Sequence, residues 1–481
     1  MKTLLKKAIN LALSMGADYA DIRYSKFDSE SISVKNGQVQ GVDYHSDYGV
    51  GIRVLYKGAW GFASNPDIDD AARMETVVKR AVDLAKASNK VSGDNIDLAP
   101  KSVVEDAWQS KFEIDPFKVP LEEKLELLMK CCEEMSRVGG VAITNAGLDF
   151  IREDRLYMDS EGSEISQKFV QSGGGISCIS LLGGEVQQRS YPSAHRGNHN
   201  MAGYEFIKEI DLLKEAPRLG KEVIELHKAI LCPSEKMDLI LGGSQLVLQV
   251  HESCGHAVEL DRVLGYEANF AGTSFLTLDK WKNYKYGSDK VNLVQDGTTY
   301  NAIGSAKYDD EGVECSMSHL VKNGDFVGYL KSRDSAKFEN GKSNGACRAQ
   351  GWYNIPIVRM TNVHLLPGNE TLEELISSTK RGVFMCDNRS WSIDDKRWNF
   401  QFGSELGWLI ENGKITQMVK NPTYTGITPE FWGNCEGVAS KKEWKIWGTP
   451  NCGKGQPMQV IRVGHGVSYA KFNDVRVGVS K

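Results

Sequence analysis

The stretch 20-ADIRYSKFDSESISVKNGQVQGVDYHSDYGVGIRVLYKGAWGFASN-65 decides how the first part of the chain is read. Polar and apolar residues alternate through most of it, the period of strands with one buried face. Asn36-Gly37, Asp47-Tyr48-Gly49 and Lys57-Gly58 interrupt the alternation with residues suited to tight turns. The segment therefore predicts an antiparallel meander. Upstream, Leu4, Leu5, Ala8, Leu11, Ala12 and Met15 fall at helical spacing, with Lys2, Lys6 and Lys7 off that stripe. This predicts an amphipathic first helix rather than a secretory leader. Downstream, Asp67-Ile68-Asp69-Asp70 supplies acidic charge to open a helix ending near Ala87.

The same grammar returns further on. The segment 120-PLEEKLELLMKCCEEMSRV-138 reads as a helix, with Pro120 near its start and Leu121, Leu125, Leu128 and Cys132 on one stripe. Strand-like runs follow at 141–149, 154–160, 163–170 and 174–182, then a helical region over 203–229. Residues 1–230 thus read as two helix-plus-meander units, about 1–95 and 115–230, with no residue-level repeat. Residues 231–481 read as a β-rich domain, so the whole is α+β. In it, 236-KMDLILGG-243 predicts a buried strand and 244-SQLVLQVHESCGHAVELDRVL-264 a helix capped near Ser244. Turn signals at Asp296-Gly297, Glu311-Gly312, Asn323-Gly324, Asn340-Gly341 and Asn412-Gly413 predict antiparallel strands, interrupted by one helix at 372-LEELISSTKRG-382.

Composition narrows the function. The 481 residues are 41% apolar and 25% charged with a net charge of −5, an ordinary globular profile. That balance gives no basic footprint for nucleic acid. No apolar run reaches the ~20 residues that span a bilayer. Ten cysteines without a C-x-x-C pair predict buried thiols in a reducing, cytoplasmic setting.

The chemistry concentrates in 251-HESCGHAVELD-261. Zinc hydrolases use three protein ligands, commonly including histidines, and a neighbouring glutamate that handles the proton of the attacking water. His251, His256 and Glu252 supply that pattern, but the histidines are five apart rather than four. On an ideal α-helix they would point roughly 140° apart. A π-type turn, helped by Gly255, returns them to one face, so a widened turn or a helix end is expected between 251 and 256. Candidates for a third ligand are Glu259, three residues past His256, and two distant thiols. Cys452, in 449-TPNCGKGQP-457, reads as an exposed loop thiol whose pKa Lys454 could lower; Cys435 in 431-FWGNCEG-437 is a weaker version. Cys254 is expected to turn away from the histidines. His319, His364 and His465 are further candidates for neighbours of the site, but each alone is more often a structural histidine, and none is assigned a role.

The motif at 251–261 and the downstream 451-NCGKGQP-457 resemble the TldD branch of the TldD/PmbA metallopeptidase family. The stretches at 49–64, 308–330 and 358–368 are similar to further landmarks, so the resemblance spans the chain. It implies zinc held by His251, His256 and Cys452, with Glu252 as catalytic acid/base. It also implies an N-terminal α/β portion, a β-rich C-terminal portion, and dimers or a complex with a PmbA-type paralogue. The implied substrates are unfolded peptides. Two departures concern the substrate channel: Leu260 stands where a glycine is common, and 387–403 lacks paired glycines. Glu259 and Asp261 are expected to orient the histidines or brace Arg262. The alternative from another class is a non-catalytic peptide-binding scaffold with a structural metal; a thiol enzyme using Cys254 or Cys452 is a further rival.

Overall fold

The computed structural model describes residues 1–66, 70–91, 95–338 and 341–478. Asp67, Ile68, Asp69 and Asn340, which entered the helix and turn expectations, lie outside these residues. The first helix, α1 (Lys2–Ser14), buries Leu5, Ala8, Ile9 and Ala12, close to the stripe read from sequence. Strands β1 (Tyr19–Lys35), β2 (Gln38–Tyr56) and β3 (Ala59–Asn65) form the meander. Its hairpin turns are at Asn36-Gly37 and Lys57-Gly58, with positive φ at all four residues, the geometry that matches strand twist. The expected interruption at Asp47-Tyr48-Gly49 is strand instead: Gly49 pairs with Ser25 inside the hairpin. A Cβ there would come within 2.5 Å of the Trp352 ring. Gly49 thus makes room for an indole from the C-terminal region, whose Nε1–H donates to Asp47 Oδ2 at 3.0 Å. Helix α2 (Ala71–Asn89) is capped by the Asp70 side chain and covers the meander with α1.

Strand β4 (Glu105–Gln109) and helix α3 (Leu121–Ser136) open the next part. The buried stripe of α3 is Leu128, Cys131, Cys132 and Met135, rotated from the expected one, because Lys124 is drawn inward. Its Nζ pairs with Glu30 at 2.7 Å. The four expected strand runs are two long strands, β5 (Val141–Asp159) and β6 (Glu164–Leu182). The residues between the expected runs, 150–153 and 171–173, stay paired in the β5–β6 ladder. Strands β7 (Glu185–Tyr191) and β8 (Asn198–Asn200) both pair with β6. The two meanders are joined edge to edge by β1 and β5, antiparallel from Asp21↔Asp159 to Lys35↔Asn145. Among the described residues this gives one eight-stranded sheet. The expected helix over 203–229 is split into α4 (Glu205–Ile210) and α5 (Leu212–Glu225) by Asp211, whose φ is 43°.

The C-terminal region begins with β9 (Ile230–Leu231) and the buried strand β10 (Lys236–Leu241). The motif helix α6 (Gly243–Val250) follows, but Gly242, not Ser244, is its cap. Ser244 lies inside the first turn, and its hydroxyl accepts from Asn388 N–H at 3.1 Å. A short helix α7 (Leu260–Val263) comes after the motif. Next come β11 (Leu293–Asp296), β12 (Met317–Lys322), β13 (Asp325–Phe326), β14 (Cys347–Arg348), β15 (Ile357–Val358) and β16 (Val363–Leu365). Helix α8 (Leu372–Ser377), with a Thr371/Glu374 capping box, sits in the expected segment. The chain continues as β17 (Arg381–Met385), β18 (Asn388–Ile393), β19 (Asn399–Ser404), β20 (Leu406–Glu411), β21 (Lys414–Lys420) and β22 (Thr423–Ile427). A helix not foreseen from sequence, α9 (Thr428–Gly433), buries Phe431 and Trp432. The chain closes with β23 (Cys435–Val438), β24 (Lys445–Lys454), β25 (Gln459–Val467) and β26 (Ala470–Val477). The main sheet runs β18-β19-β22-β26-β10-β17-β20-β21-β9 and is largely antiparallel, with β10 and β17 parallel at its centre. Helix α6 packs into its apolar core with Leu246 and Val250 fully buried; each such side chain contributes about 1.5–3 kcal/mol.

Candidate metal centre

Helix α6 ends in the widened turn that the five-residue spacing requires. His251–Gly255 forms a π turn, and His256 N–H donates to His251 O at 3.2 Å, an i→i+5 bond. The two imidazoles meet edge to face, with ring centroids 4.9 Å apart and planes at 86°. Gly255 permits this packing: a Cβ there would approach Met360 Sδ to 2.1 Å. Cys254 points the other way, into the apolar core, where burial pushes its thiol up to about 12. Cys435 is buried on β23, its Sγ directed to Gly437 O at 3.8 Å, and is not part of this cluster.

Cys452 comes to the histidines from the hairpin β24–β25. The expectation of an exposed loop thiol is corrected: Cys452 is a buried residue within β24. The ladder is irregular between Thr449 and Cys452, and such a bulge re-aims a strand side chain. Arg359 pins the hairpin by donating to Cys452 O at 2.5 Å and Gln459 O at 3.1 Å. Ligand atoms of His251, His256 and Cys452 lie within 4.8 Å of one another. Cys452 Sγ is 3.6 Å from His256 Nε2. Two ligands of one tetrahedral zinc, at ordinary Zn–N and Zn–S lengths, are about 3.6 Å apart.

Hydrogen bonds set the tautomers. His465 Nδ1–H donates to Val363 O at 2.8 Å, which leaves its Nε2 as an acceptor. His251 Nδ1–H donates to that nitrogen at 2.8 Å, so the lone pair of His251 is on Nε2. His256 Nδ1–H donates to Glu259 Oε2 at 3.0 Å, leaving Nε2 toward Cys452. The arrangement presents two imidazole Nε2 atoms and a sulfur, with the outer nitrogens held by a carboxylate and a third histidine. From sequence His465 is assigned no role; its place beside His251 depends on β16 and β25 meeting, which no local pattern announces.

Charge completes the fit. Burial opposes ionisation of Cys452, but His256, His251 and Arg359 overcome it and hold the thiol well below its usual range. Burial lowers His256, yet Glu259 and Cys452 outweigh it and raise the imidazole. A metal ion binds the neutral imidazoles and the thiolate, so its affinity rises with pH as these ligands lose their protons. Glu259 does not join the ligand atoms. It lies under His256 and 3.4 Å from Arg262 Nε, with Lys454 Nζ at 3.6 Å. Asp261 takes Lys454 at 2.6 Å, and burial pushes its carboxyl up to about 6. Lys454 is therefore committed to these carboxylates. Glu259 thus holds His256 and Arg262 as expected, whereas Asp261 touches neither histidine and accepts from Lys454 Nζ and the backbone N–H of Arg262.

Glu252 stands beside the cluster at the wall of a 450 Å³ cleft, together with His251, His256 and Cys452. Burial alone would raise its carboxyl; His251, His256 and Arg397 reverse this and hold it below the usual glutamate range. Arg397 Nη1–H donates to Glu252 Oε2 at 2.8 Å. Arg397 carried no role in the sequence reading, because it reaches the site from the β18–β19 turn, 145 residues away. His364 lies behind His465 and accepts from Gly466 N–H at 2.6 Å. His319 sits on β12, opposite Val294 of β11.

The chain is similar to known proteins along most of its length. Residues 234–479 match the PmbA/TldA metallopeptidase C-terminal domain, residues 20–85 domain 1 and residues 114–231 the central domain of the same family. The chain is 32% identical to a metalloprotease of Methanocaldococcus jannaschii over 92% of its own length and 94% of the relative's. It is 23% identical to a zinc metalloprotease TldD homolog of Saccharolobus solfataricus, covering 98% and 99% of the two chains. Among solved structures, a candidate modulator of a DNA gyrase from Thermotoga maritima superposes with a TM-score of 0.78 at 16% identity, covering 99% of this chain and all of the other. TldE from Thermococcus kodakarensis superposes with a TM-score of 0.71 at 16% identity, with 99% and 100% coverage. Among the described residues, no helix is long and apolar enough to cross a membrane.

Proposed function

The chain belongs to the PmbA/TldD metallopeptidase family, and from that premise we propose that it is a zinc-dependent hydrolase of peptide bonds in extended, poorly structured substrates. The observation that carries the reading is the convergence of His251, His256 and Cys452 within 4.8 Å, with Glu252 facing the same cleft. These three residues would hold the zinc. Bound zinc supplies a Lewis acid that polarises the scissile carbonyl and makes water more acidic. Glu252 accepts a proton from the attacking water as a C–O bond forms at the carbonyl carbon. It then delivers that proton to the leaving nitrogen as the C–N bond breaks. A carboxylate held low by its cationic neighbours is ionised at neutral pH and ready for the first transfer. Glu259 and His465 keep the two imidazoles in the tautomers that expose Nε2. The apolar part of the cleft wall, with Val247, Leu248 and Ile393, lowers the local dielectric and strengthens these charge interactions.

Residues 231–481 carry the chemistry in this reading, while residues 1–230 are the N-terminal portion that borders the cleft through Ser193 and His195. The working assembly is a dimer or a complex with a PmbA-type paralogue, a reading that the fold shared with TldE supports. Free cysteines, ten in all, suit a reducing cytoplasm.

Metal analysis of untreated protein and a peptide-cleavage assay test the proposal together. Roughly one zinc per chain is expected, with cleavage abolished by a chelator and restored by zinc. Zinc-replete Glu252→Gln protein that cleaves as fast as the parent would remove the base. Cleavage that survives complete chelation would favour a thiol mechanism.

A further inference from the structure

Arg397 occupies an unusual position in the cleft. It closes the turn between β18 and β19 with a φ of 63°, a left-handed conformation that long side chains rarely adopt. The turn is tied from several directions. Arg397 N–H donates to Asp394 O at 2.9 Å, and Thr428 Oγ1–H donates to Arg397 O at 2.7 Å. Trp398 N–H donates to Asp394 Oδ1 at 2.8 Å, and Phe275 N–H to Lys396 O at 2.9 Å. The surroundings thus fix the backbone so that the guanidinium enters the cleft beside Glu252.

The guanidinium is only partly used. Nη1 donates to Glu252 Oε2, while Nε is buried and has no hydrogen-bond partner. An orphaned buried donor on a cation carries a desolvation cost unless something fills it. The Nε side is one of the edges on which an arginine receives a carboxylate through two parallel hydrogen bonds. Apolar surface stands close by: Val247, Leu248, Ile393 and the half-exposed Trp391 line the same cleft. That wall lowers the local dielectric and strengthens a charge pair formed against it.

Resting on the hydrolase reading, we propose that Arg397 is a specificity residue that receives a substrate carboxylate next to the scissile bond, with Glu252 held on the opposite side of the guanidinium. One cation then serves two anions, the base through Nη1 and the substrate through the Nε edge. The shared chemistry is a carboxylate, whether from an Asp or Glu side chain or from the chain end.

The zinc-loaded full chain is given a defined peptide mixture, and cleavage is mapped by mass spectrometry. One arm scans Glu against Gln through peptides blocked at both ends. The other compares free-acid with amidated C-termini. The expected result is about a tenfold or greater preference for the acid in at least one arm, and that arm identifies the source of the carboxylate. Arg397→Gly suits the left-handed backbone and removes the guanidinium; Arg397→Lys keeps the charge and loses the fork. Both should bring the acid-to-amide ratio toward one, a ratio that a purely structural arginine would leave unchanged. Peptides cut by the parent with no acid preference in either arm would overturn the proposal while leaving the hydrolase reading intact. Preference retained in both variants would overturn it as well. A zinc-loaded parent that cuts no peptide would refute the hydrolase reading, and this inference with it.

Discussion

His465 Nε2 lies 2.8 Å from His251 Nδ1, and its own Nδ1–H is committed to the carbonyl of Val363. The pair forms a directional chain in which a backbone carbonyl decides which nitrogen of His251 is free. His465 is fully buried, and burial with His251 nearby holds it well below the usual imidazole range. It therefore acts as a neutral acceptor.

His465→Ala should weaken zinc binding by about 10–100-fold, the usual cost of removing an outer partner of a metal-bound histidine. Competition titration with a chromophoric chelator measures this. Unchanged affinity would mean that the His251 ring is held by packing alone.

Cys452→Ser and Glu252→Gln should separate binding from chemistry. The serine variant is expected to lose most of its zinc, because a neutral hydroxyl replaces a thiolate stabilised by His256, His251 and Arg359. The glutamine variant should keep its zinc and lose about 10²–10⁴-fold in cleavage rate. Metal content and steady-state kinetics on the same preparations distinguish the two.

Gly255→Ala should destabilise the fold by about 1–3 kcal/mol through overpacking against Met360, whose Sδ would be 2.1 Å from the new Cβ. Combining it with Met360→Ala should give a total smaller than the sum of the single effects, by at least about 0.5 kcal/mol. Urea denaturation of the four proteins checks this, and strict additivity would contradict the proposed contact.

Glu405, which is not among the clustered ligand residues, predicts a pH-dependent stability. Burial pushes its carboxyl up to about 7 despite the adjacent Arg189, with Asp387 adding to the rise. A carboxyl raised in the folded state binds more protons there than when unfolded. Its contribution is thus fully present below its unfolded pKa of about 4.3 and is lost as pH rises toward about 7. Glu405→Gln should lose that downward slope, a difference of a few kcal/mol across the window. Denaturant midpoints of parent and variant, measured every half unit, decide it; parallel profiles would show that Glu405 is ionised throughout.

The alternation at 20–65 and the glycine turns determined the first meander, because a half-buried strand needs a period of two and each tight turn needs positive φ. The spacing of His251 and His256 likewise demanded a widened turn, since a regular helix cannot bring residues five apart to one face; the observed i→i+5 bond is that widening. Glu259 followed from being one turn beyond His256. Cys452 was within reach of the sequence reading only as one of several thiols and through resemblance. Its burial and its 3.6 Å approach to His256 depend on how the β24–β25 hairpin docks. Local pattern carried no trace of the His465 contact, the Arg397 guanidinium over Glu252, or the edge pairing of β1 with β5. Each joins residues more than a hundred positions apart. Chain periodicity records which face of an element is buried; which elements share that burial is decided by the packing of the whole core.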